Sequence, residues 1–244
     1  MKRPRLRDSN KIFNQELFPL NEIPREIVTK IAARFVYLIC IGRRDISGDD
    51  WGDSFAKAIG GVHLASPIGI ADVVLGKSAW SMKTVKNNKP FVCKNVRLIS
   101  GRCSPDYSYG ITDPHKDVQE TGRAVLGIWN ERVNIACDNY SNVRTMILIR
   151  SNDLLSYCLY EEENHRFVTN NYVWEVNKNG NLIGKNILTG DPAFVWQPHG
   201  SQFTILEKVP QSAIKFKIKN PPKITQEEIL KTIDFDEKWV EFID

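Results

Sequence analysis

Three side chains on two short apolar segments have the types and the spacing that phosphate chemistry requires. Asp72 lies in the first segment, Ser81 and Lys83 lie in the second, and Gly76-Lys77-Ser78 separates the two. This pattern is typical of a β-hairpin with a short turn. Side chains alternate between the faces of a strand, so Ser81 and Lys83 share one face. A carboxylate and an ammonium on paired strands could bind a divalent metal and position a water against a phosphate.

The same pair has a simpler interpretation. An Asp and a Lys on neighbouring strands are often a solvated cross-strand ion pair that contributes little free energy. A family resemblance favours the chemical interpretation. Asp72, followed after eight residues by Ser81-Met82-Lys83, resembles the PD-(D/E)xK nuclease motif in the (S/T)xK form of some type II restriction endonucleases.

The resemblance implies a Mg²⁺-dependent endonuclease that hydrolyses phosphodiester bonds of double-stranded DNA at specific sequences. It implies that Asp72 is the first metal ligand and that Lys83 orients the attacking water or stabilises the developing charge. Ser81 occupies the place where most relatives have Asp or Glu, so a second acid must come from elsewhere. In (S/T)xK nucleases it is a Glu of the following helix, for which Glu120 is the first choice. Asp53, on the helix before the hairpin, is the second candidate.

Further polar residues are candidates for DNA contacts, because arginine, lysine, glutamine and tyrosine side chains suit phosphates and base edges. The segment with Arg102 and Tyr107 and the segment with Gln197, His199 and Gln202 could equally be ordinary polar loops without a role in binding. The candidates are Lys86 at the end of the hairpin, Arg102 and Tyr107 in a polar stretch, and Gln197, His199 and Gln202 between two strands.

The composition is that of a soluble globular protein, with 244 residues and 42% hydrophobic residues. A net charge of +4 permits a polyanionic partner but does not require one. No apolar run reaches transmembrane length, so we expect no membrane association. Five widely spaced cysteines without a CxxC pair argue against a disulfide framework or structural zinc and favour a reducing cytoplasm.

The order of the predicted elements gives an α/β (α+β) fold. A helix that opens at Pro24 and a short helix over 47–61 precede the hairpin. A helix over 114–133 then leads to a buried strand at 144–150, and strand, helix, strand implies a crossover with at least one parallel pair. The resemblance implies a restriction-endonuclease-like mixed sheet flanked by helices, followed by a β-rich C-terminal part.

We predict one nuclease domain over residues 1–244. Its parts are a basic arm (1–20), a catalytic core (21–165), a β-rich DNA-recognition part (166–222) and a C-terminal helix (223–244). The resemblance implies a homodimer, since cutting both strands of a palindrome needs two equivalent sites. Two other functions stay open: a non-catalytic DNA-binding protein on a degenerate nuclease scaffold, and a nuclease that acts on RNA or branched DNA.

Overall fold

The computed structural model describes residues 17–164, 166–219 and 221–243 as a mixed α/β fold. Most of the predicted basic arm therefore lies outside the described residues. The helices are α1 (Arg25–Cys40), α2 (Gly48–Ile59), α3 (Pro105–Tyr109), α4 (Val118–Asn139) and α5 (Gln226–Thr232). None of these described helices has the length and apolar character to cross a membrane.

The strands form two sheets. The strands are β1 (Val62–Ile68), β2 (Ala71–Leu75), β3 (Ser78–Lys86), β4 (Asn95–Arg102), β5 (Asn142–Arg150), β6 (Ser156–Glu163), β7 (Tyr172–Val176), β8 (Leu182–Asn186), β9 (Pro192–Gln197), β10 (Gln202–Lys208) and β11 (Ile214–Lys217). Sheet A has the order β1-β2-β3-β5-β6-β11, and sheet B has the order β4-β10-β9-β8-β7. The predicted parallel pair is confirmed, because β3 runs parallel to β5 after the α4 crossover.

The predicted hairpin is formed by β2 and β3, with Val73 opposite Trp80 and Leu75 opposite Ser78. Gly76 supplies the positive φ of +57° that its tight turn requires. β3 continues along β5 as far as Lys86, well beyond the segment that β2 covers. In the part of the chain that the structure describes, the second half of β3 therefore has an uncovered edge on the β2 side.

Side-chain alternation along β3 gives sheet A two differently packed faces. Trp80 and Met82 belong to a core with α1 and α2, in which the rings of Phe55 and Trp80 lie 5.3 Å apart. Val85, on the face of Ser81 and Lys83, packs against the core that α4 and sheet B form. The candidate chemical residues therefore face sheet B.

The two sheets do not follow the predicted division of the chain. β4 belongs to the predicted catalytic core but pairs with β10 in sheet B, and β11 returns from the predicted recognition part to pair with β6. In the polar stretch that carries Arg102 and Tyr107, Pro105 starts the short helix α3 and Gly110 ends it with a φ of +70°. β4 begins at Asn95, after Pro90 has opened a 3-10 turn.

Replacing Glu161 by alanine should destabilise the protein by about 3–5 kcal/mol. Glu161 is fully buried and accepts hydrogen bonds from Trp80 Nε1 at 2.8 Å and from Arg144 Nη1 at 3.0 Å. Its loss leaves a buried guanidinium without its carboxylate. Chemical denaturation measures the difference, and Glu163→Ala, at the exposed end of β6, should change stability by less than about 0.5 kcal/mol. A loss below about 1 kcal/mol for Glu161→Ala would contradict the prediction.

Candidate active site

The structure brings Asp72, Ser81 and Lys83 together on one face of the hairpin. Asp72 Oδ2 accepts a hydrogen bond from the backbone N–H of Met82 at 2.7 Å, and Ser81 Oγ approaches the same oxygen at 3.4 Å. Ser81 is buried, and Asp72 and Lys83 are half-buried. Since both donors meet Oδ2, the second oxygen, Oδ1, is left to accept a cation or a water.

Burial and two neighbouring charges have opposing effects on the pKa of the Lys83 amine. Burial lowers the pKa of the Lys83 amine, the Asp72 carboxylate partly offsets that effect, and the positive charge of Arg132 adds to it. A lysine with a lowered pKa can hold or release a proton closer to neutral pH than an exposed lysine can. Two cations and one carboxylate thus meet at this point, with a net charge that favours an anion.

Arg132 reaches this site from the middle of α4 and fixes the surrounding backbone. Its Nη1 donates to the carbonyl of Ser100 at 3.0 Å, and its Nη2 lies 3.5 Å from the carbonyl of Gly69. Gly101 has a φ of +92°, and a Cβ there would lie 2.3 Å from Nη1. The guanidinium therefore joins α4 to the turn before β2 and to β4 of sheet B.

On its other side Lys83 borders a small cavity of about 40 Å³ between the two sheets. Glu162 and Glu207 line this cavity, and burial together with the Glu162 carboxylate raises the pKa of Glu207 to about 7. Thr145 on β5 stands between Ser81 on β3 and Glu162 on β6, and it is the register partner of both. Asp72 and Glu162 are therefore three strands apart, about 14 Å at about 4.8 Å per strand, too far to share one ion directly.

The structure does not bring Glu120 to the hairpin. Glu120 is exposed in the first turn of α4, where the neighbouring Gln119 side chain bonds the backbone of Trp174 on the far edge strand of sheet B. Arg132, which does reach the hairpin, lies twelve residues later, or about 18 Å along the helix axis. The prediction of Glu120 as a metal ligand therefore has no geometric support, because the helix presents a guanidinium where an acid was expected.

Asp53 is not part of the site either. It lies on α2, which packs against the opposite face of sheet A. Its carboxylate bonds Arg34 at 3.0 Å and Lys57 at 2.8 Å. Partial burial opposes ionisation, but the hydrogen bonds from Lys57 and Arg34 lower the pKa of Asp53 overall. These contacts make Asp53 a surface ion-pair partner rather than a supplement to Asp72.

Three of the six predicted DNA contacts lie in one row at one end of sheet B. Gln202 on β10 stands opposite Arg102 on β4 and opposite Gln197 on β9, so the three side chains form one row across neighbouring strands. His199 lies in the turn that joins β9 to β10. Tyr107, 93% exposed, lies close by in sequence on α3. Arg102, Gln197 and Gln202, which the sequence spreads over a hundred residues, thus stand side by side.

The sixth predicted contact, Lys86, belongs to a different feature, a groove of about 380 Å³ between the uncovered edge of β3 and β4. Its cationic lining residues are Lys83, Lys86 and Arg97, and its other lining residues include no carboxylate. Thr84 also lines the groove, and its buried Oγ1 has no hydrogen-bond partner among the described residues. A groove with this lining suits a chain of phosphates.

Sequence reasoning missed Arg132 and Arg97. Arg132 follows Trp129 and precedes Ala136 at helical spacing on the buried stripe of α4, which is the signal that separates it from a surface arginine. Arg97 alternates with the buried Val96 and Leu98 on β4, a pattern that places it on the outer side of the strand. Its position beside Lys86 depends on how the sheets pack, which the sequence does not specify.

Comparisons of the chain with protein-family models, curated proteins and solved structures find no match. Within residues 17–164, 166–219 and 221–243, no group of three or more His, Cys, Asp or Glu side chains is placed to hold a metal ion. The side chains available for chemistry at the hairpin are therefore Asp72, Ser81 and Lys83 and the cations around them.

Substitutions of the two charges next to Lys83 should move the pKa of its amine in opposite directions. Asp72→Asn should lower it further, because the carboxylate stabilises the ammonium form. Arg132→Gln should raise it, because a neighbouring positive charge is removed. NMR titration of the Lys83 side chain in isotopically labelled protein measures both shifts. Shifts in the same direction would show that the charges of Asp72 and Arg132 do not determine the pKa of Lys83 in the expected way.

Proposed function

We propose that the chain is a cytoplasmic Mg²⁺-dependent endonuclease of the PD-(D/E)xK kind that cuts double-stranded DNA at specific sequences. The observation that carries the proposal is the hairpin geometry. The backbone of β3 and Ser81 hold one oxygen of Asp72, while Lys83 stands on the same face with a lowered pKa. A structural ion pair needs neither the uncovered strand edge nor the cationic groove beside it.

The strand order around the hairpin supports a restriction-endonuclease-like core. An antiparallel hairpin is followed by a helical crossover to a strand that runs parallel to its second strand. In this arrangement Lys83 stands opposite Ile147 in the centre of sheet A. The rigid sheet thus supplies the fixed geometry that a catalytic carboxylate and lysine require.

The donor set at the hairpin fits a magnesium ion that keeps several waters. Mg²⁺ prefers oxygen ligands and is commonly bound by one or two carboxylates together with substrate phosphates. Asp72 would hold it through Oδ1, the oxygen that neither Ser81 nor Met82 engages. When bound, the ion would lower the pKa of a water and neutralise charge that develops at the phosphorus.

The residues of the chain have separate roles in this proposal. Lys83 holds a proton near the scissile phosphate and stabilises its developing negative charge. Ser81 and the Met82 N–H orient Asp72 by bonding one of its carboxylate oxygens, Oδ2. Arg132 adds positive charge and acts as a positioning residue, because it fixes the backbone of Gly69 and Ser100 on both sides of the site.

The DNA would contact two surfaces. Lys86 and Arg97 suit backbone phosphates along the groove that leads to Lys83. The row of Arg102, Gln202 and Gln197 suits base edges, since arginine pairs with guanine and glutamine with adenine in the major groove. Phosphate contacts fix the register of the duplex, and base contacts select the sequence.

A second candidate function is non-catalytic DNA binding on the same scaffold. The observation that favours it is that no group of three or more His, Cys, Asp or Glu side chains among the described residues is placed to hold a metal ion. A protein of this kind would retain the groove and the polar row but not cleave. The nuclease experiment distinguishes the two functions.

With Mg²⁺, the intact chain should cut genomic DNA to discrete bands, and Asp72→Asn or Lys83→Ala should lower the cleavage rate by about 100-fold or more. Both variants should keep DNA binding when it is measured without a divalent metal, which separates binding from cleavage. Lys77→Ala, an exposed lysine in the β2–β3 turn, is the matched control and should cut normally. DNA binding by the intact chain with no cleavage of any mixed-sequence substrate would favour the non-catalytic function.

Arg97→Ala and Lys86→Ala should each weaken binding of unrelated duplexes by a similar factor, because phosphate contacts are independent of sequence. Each substitution should also reduce the slope of log affinity against log salt by about 1. Fluorescence anisotropy over a salt series measures both effects. The matched control is Lys178→Ala, an exposed lysine in the β7–β8 turn. An unchanged salt slope in both groove variants would mean that the groove does not bind the DNA backbone.

A further inference from the structure

Two glutamates occupy core-facing positions on strands of different sheets. On β6, Tyr160 packs in the core between the sheets, and Glu162 follows it at a spacing of two residues. On β10, Ile205 packs in the same core, and Glu207 follows it at the same spacing. Because side chains alternate between the faces of a strand, both glutamates face the space between the sheets. Carboxylates in such a position cost free energy unless a cation or a proton neutralises them.

The two carboxylates meet at the small cavity that Lys83 borders. Glu162 and Glu207 both line it, and burial together with the Glu162 carboxylate raises the pKa of Glu207 to about 7, so the two like charges lie close together. The charges that act on the Lys83 amine are instead those of Asp72 and Arg132. The Lys83 ammonium therefore serves the hairpin and not the pair of glutamates.

Two buried polar groups beside these carboxylates have no hydrogen-bond partner among the described residues. The first is the hydroxyl of Tyr160, a residue that is 1% exposed. Burial and the charges of Glu162 and Glu207 raise the pKa of this hydroxyl, so it lies near both carboxylates. The second is Nδ2 of Asn164, which lines the cavity and uses its Oδ1 to accept from Thr145 Oγ1 at 2.8 Å. Buried polar groups normally have a partner, so both mark the place of a polar ligand.

The cavity has the size and the oxygen atoms that a small hydrated cation requires. A buried water needs about 10–15 Å³, so a cavity of about 40 Å³ has room for an ion and about two waters. Hard divalent cations bind carboxylate oxygens and keep part of their water shell. A shared proton is the other possible occupant, but it leaves one negative charge in the cavity. A divalent cation neutralises both carboxylates, and its waters reach the Tyr160 hydroxyl and the Asn164 amide.

We propose that Glu162 and Glu207 bind a hard divalent cation, of the kind of Mg²⁺ or Ca²⁺, in the cavity between the two sheets. The ion connects β6 of sheet A to β10 of sheet B. Its site is separate from the hairpin, because Glu162 lies three strands away from Asp72. The inference stands independently of the proposed nuclease activity, in which neither glutamate has a role.

Terbium luminescence of the Asp72→Asn chain tests the proposal, because this substitution removes the carboxylate of the hairpin. Tb³⁺ binds the same oxygen ligands as Ca²⁺, and Trp129, which lines the cavity, is placed to sensitise its emission. We expect sensitised emission that Ca²⁺ displaces. Adding Glu162→Gln or Glu207→Gln should weaken Tb³⁺ binding at least about tenfold, because affinity depends on the number of charged ligands. Glu227→Gln, at an exposed position of α5, is the matched control and should bind normally.

Thermal melting gives a second measurement on the same proteins. Ca²⁺ at about 100 times its dissociation constant should raise the Tm of the Asp72→Asn chain by about 5–10 °C. In the presence of Glu207→Gln this increase should fall by at least about half at the same Ca²⁺ concentration. Without metal the glutamine variant should melt no lower than its parent, because the substitution keeps the side-chain shape and removes a like charge.

Three results would overturn the proposal. An Asp72→Asn chain that shows no sensitised emission and no Ca²⁺-dependent rise in Tm would mean that the two glutamates share a proton. Tb³⁺ binding that Glu162→Gln and Glu207→Gln leave unchanged would place the ion elsewhere. An equal loss of binding in Glu227→Gln would indicate nonspecific attraction to surface carboxylates.

Discussion

The geometry of the candidate site depends on one guanidinium, that of Arg132. Its hydrogen bonds to the carbonyls of Ser100 and Gly69 connect α4 to sheet B and to the turn from which β2 starts. A Cβ at Gly69 would lie 2.2 Å from the backbone oxygen of Arg132, and one at Gly101 would meet its Nη1. Two glycines with positive φ therefore allow the helix, the turn and β4 to approach closely. The same contact brings the Arg132 charge to Lys83, so packing and electrostatics of the site are set together.

The site also depends on the different packing of the two faces of β3. Trp80 and Met82 fill an aromatic and aliphatic core under α1 and α2, which holds the strand in a single register, because a slip by one residue would exchange the faces. Ser81 and Lys83 consequently face sheet B and α4. A polar pair between two packed layers loses part of its contact with water but is not fully enclosed by the core. This partial burial lowers the pKa of Lys83.

Local sequence patterns predict the elements and their order. They do not predict how the elements pack against each other. The hairpin, the α4 crossover and the parallel β3–β5 pair follow from apolar periodicity and chain order, which are short-range signals. The family resemblance makes Glu120 the expected acid, but only the direction of α4 decides which turn of the helix meets Lys83, and that turn carries Arg132. Asp53 does not join the site for a related reason, because α2, which carries it, covers the opposite face of sheet A. The exchange of β4 into sheet B likewise has no local signature.

The charges at the site bear on how a metal and a nucleic acid would bind there. Beside Asp72, the two cations Lys83 and Arg132 oppose a divalent cation and attract a phosphate, while Glu162 and Glu207 line the cavity on the other side of Lys83. A phosphate beside Asp72 reverses that balance and supplies oxygen ligands that the protein lacks. In the proposed nuclease the metal and the DNA would therefore bind cooperatively, each increasing the affinity for the other by the same factor. A serine at position 81 is then compatible with catalysis, because the substrate supplies the negative charge that a second protein carboxylate would otherwise provide.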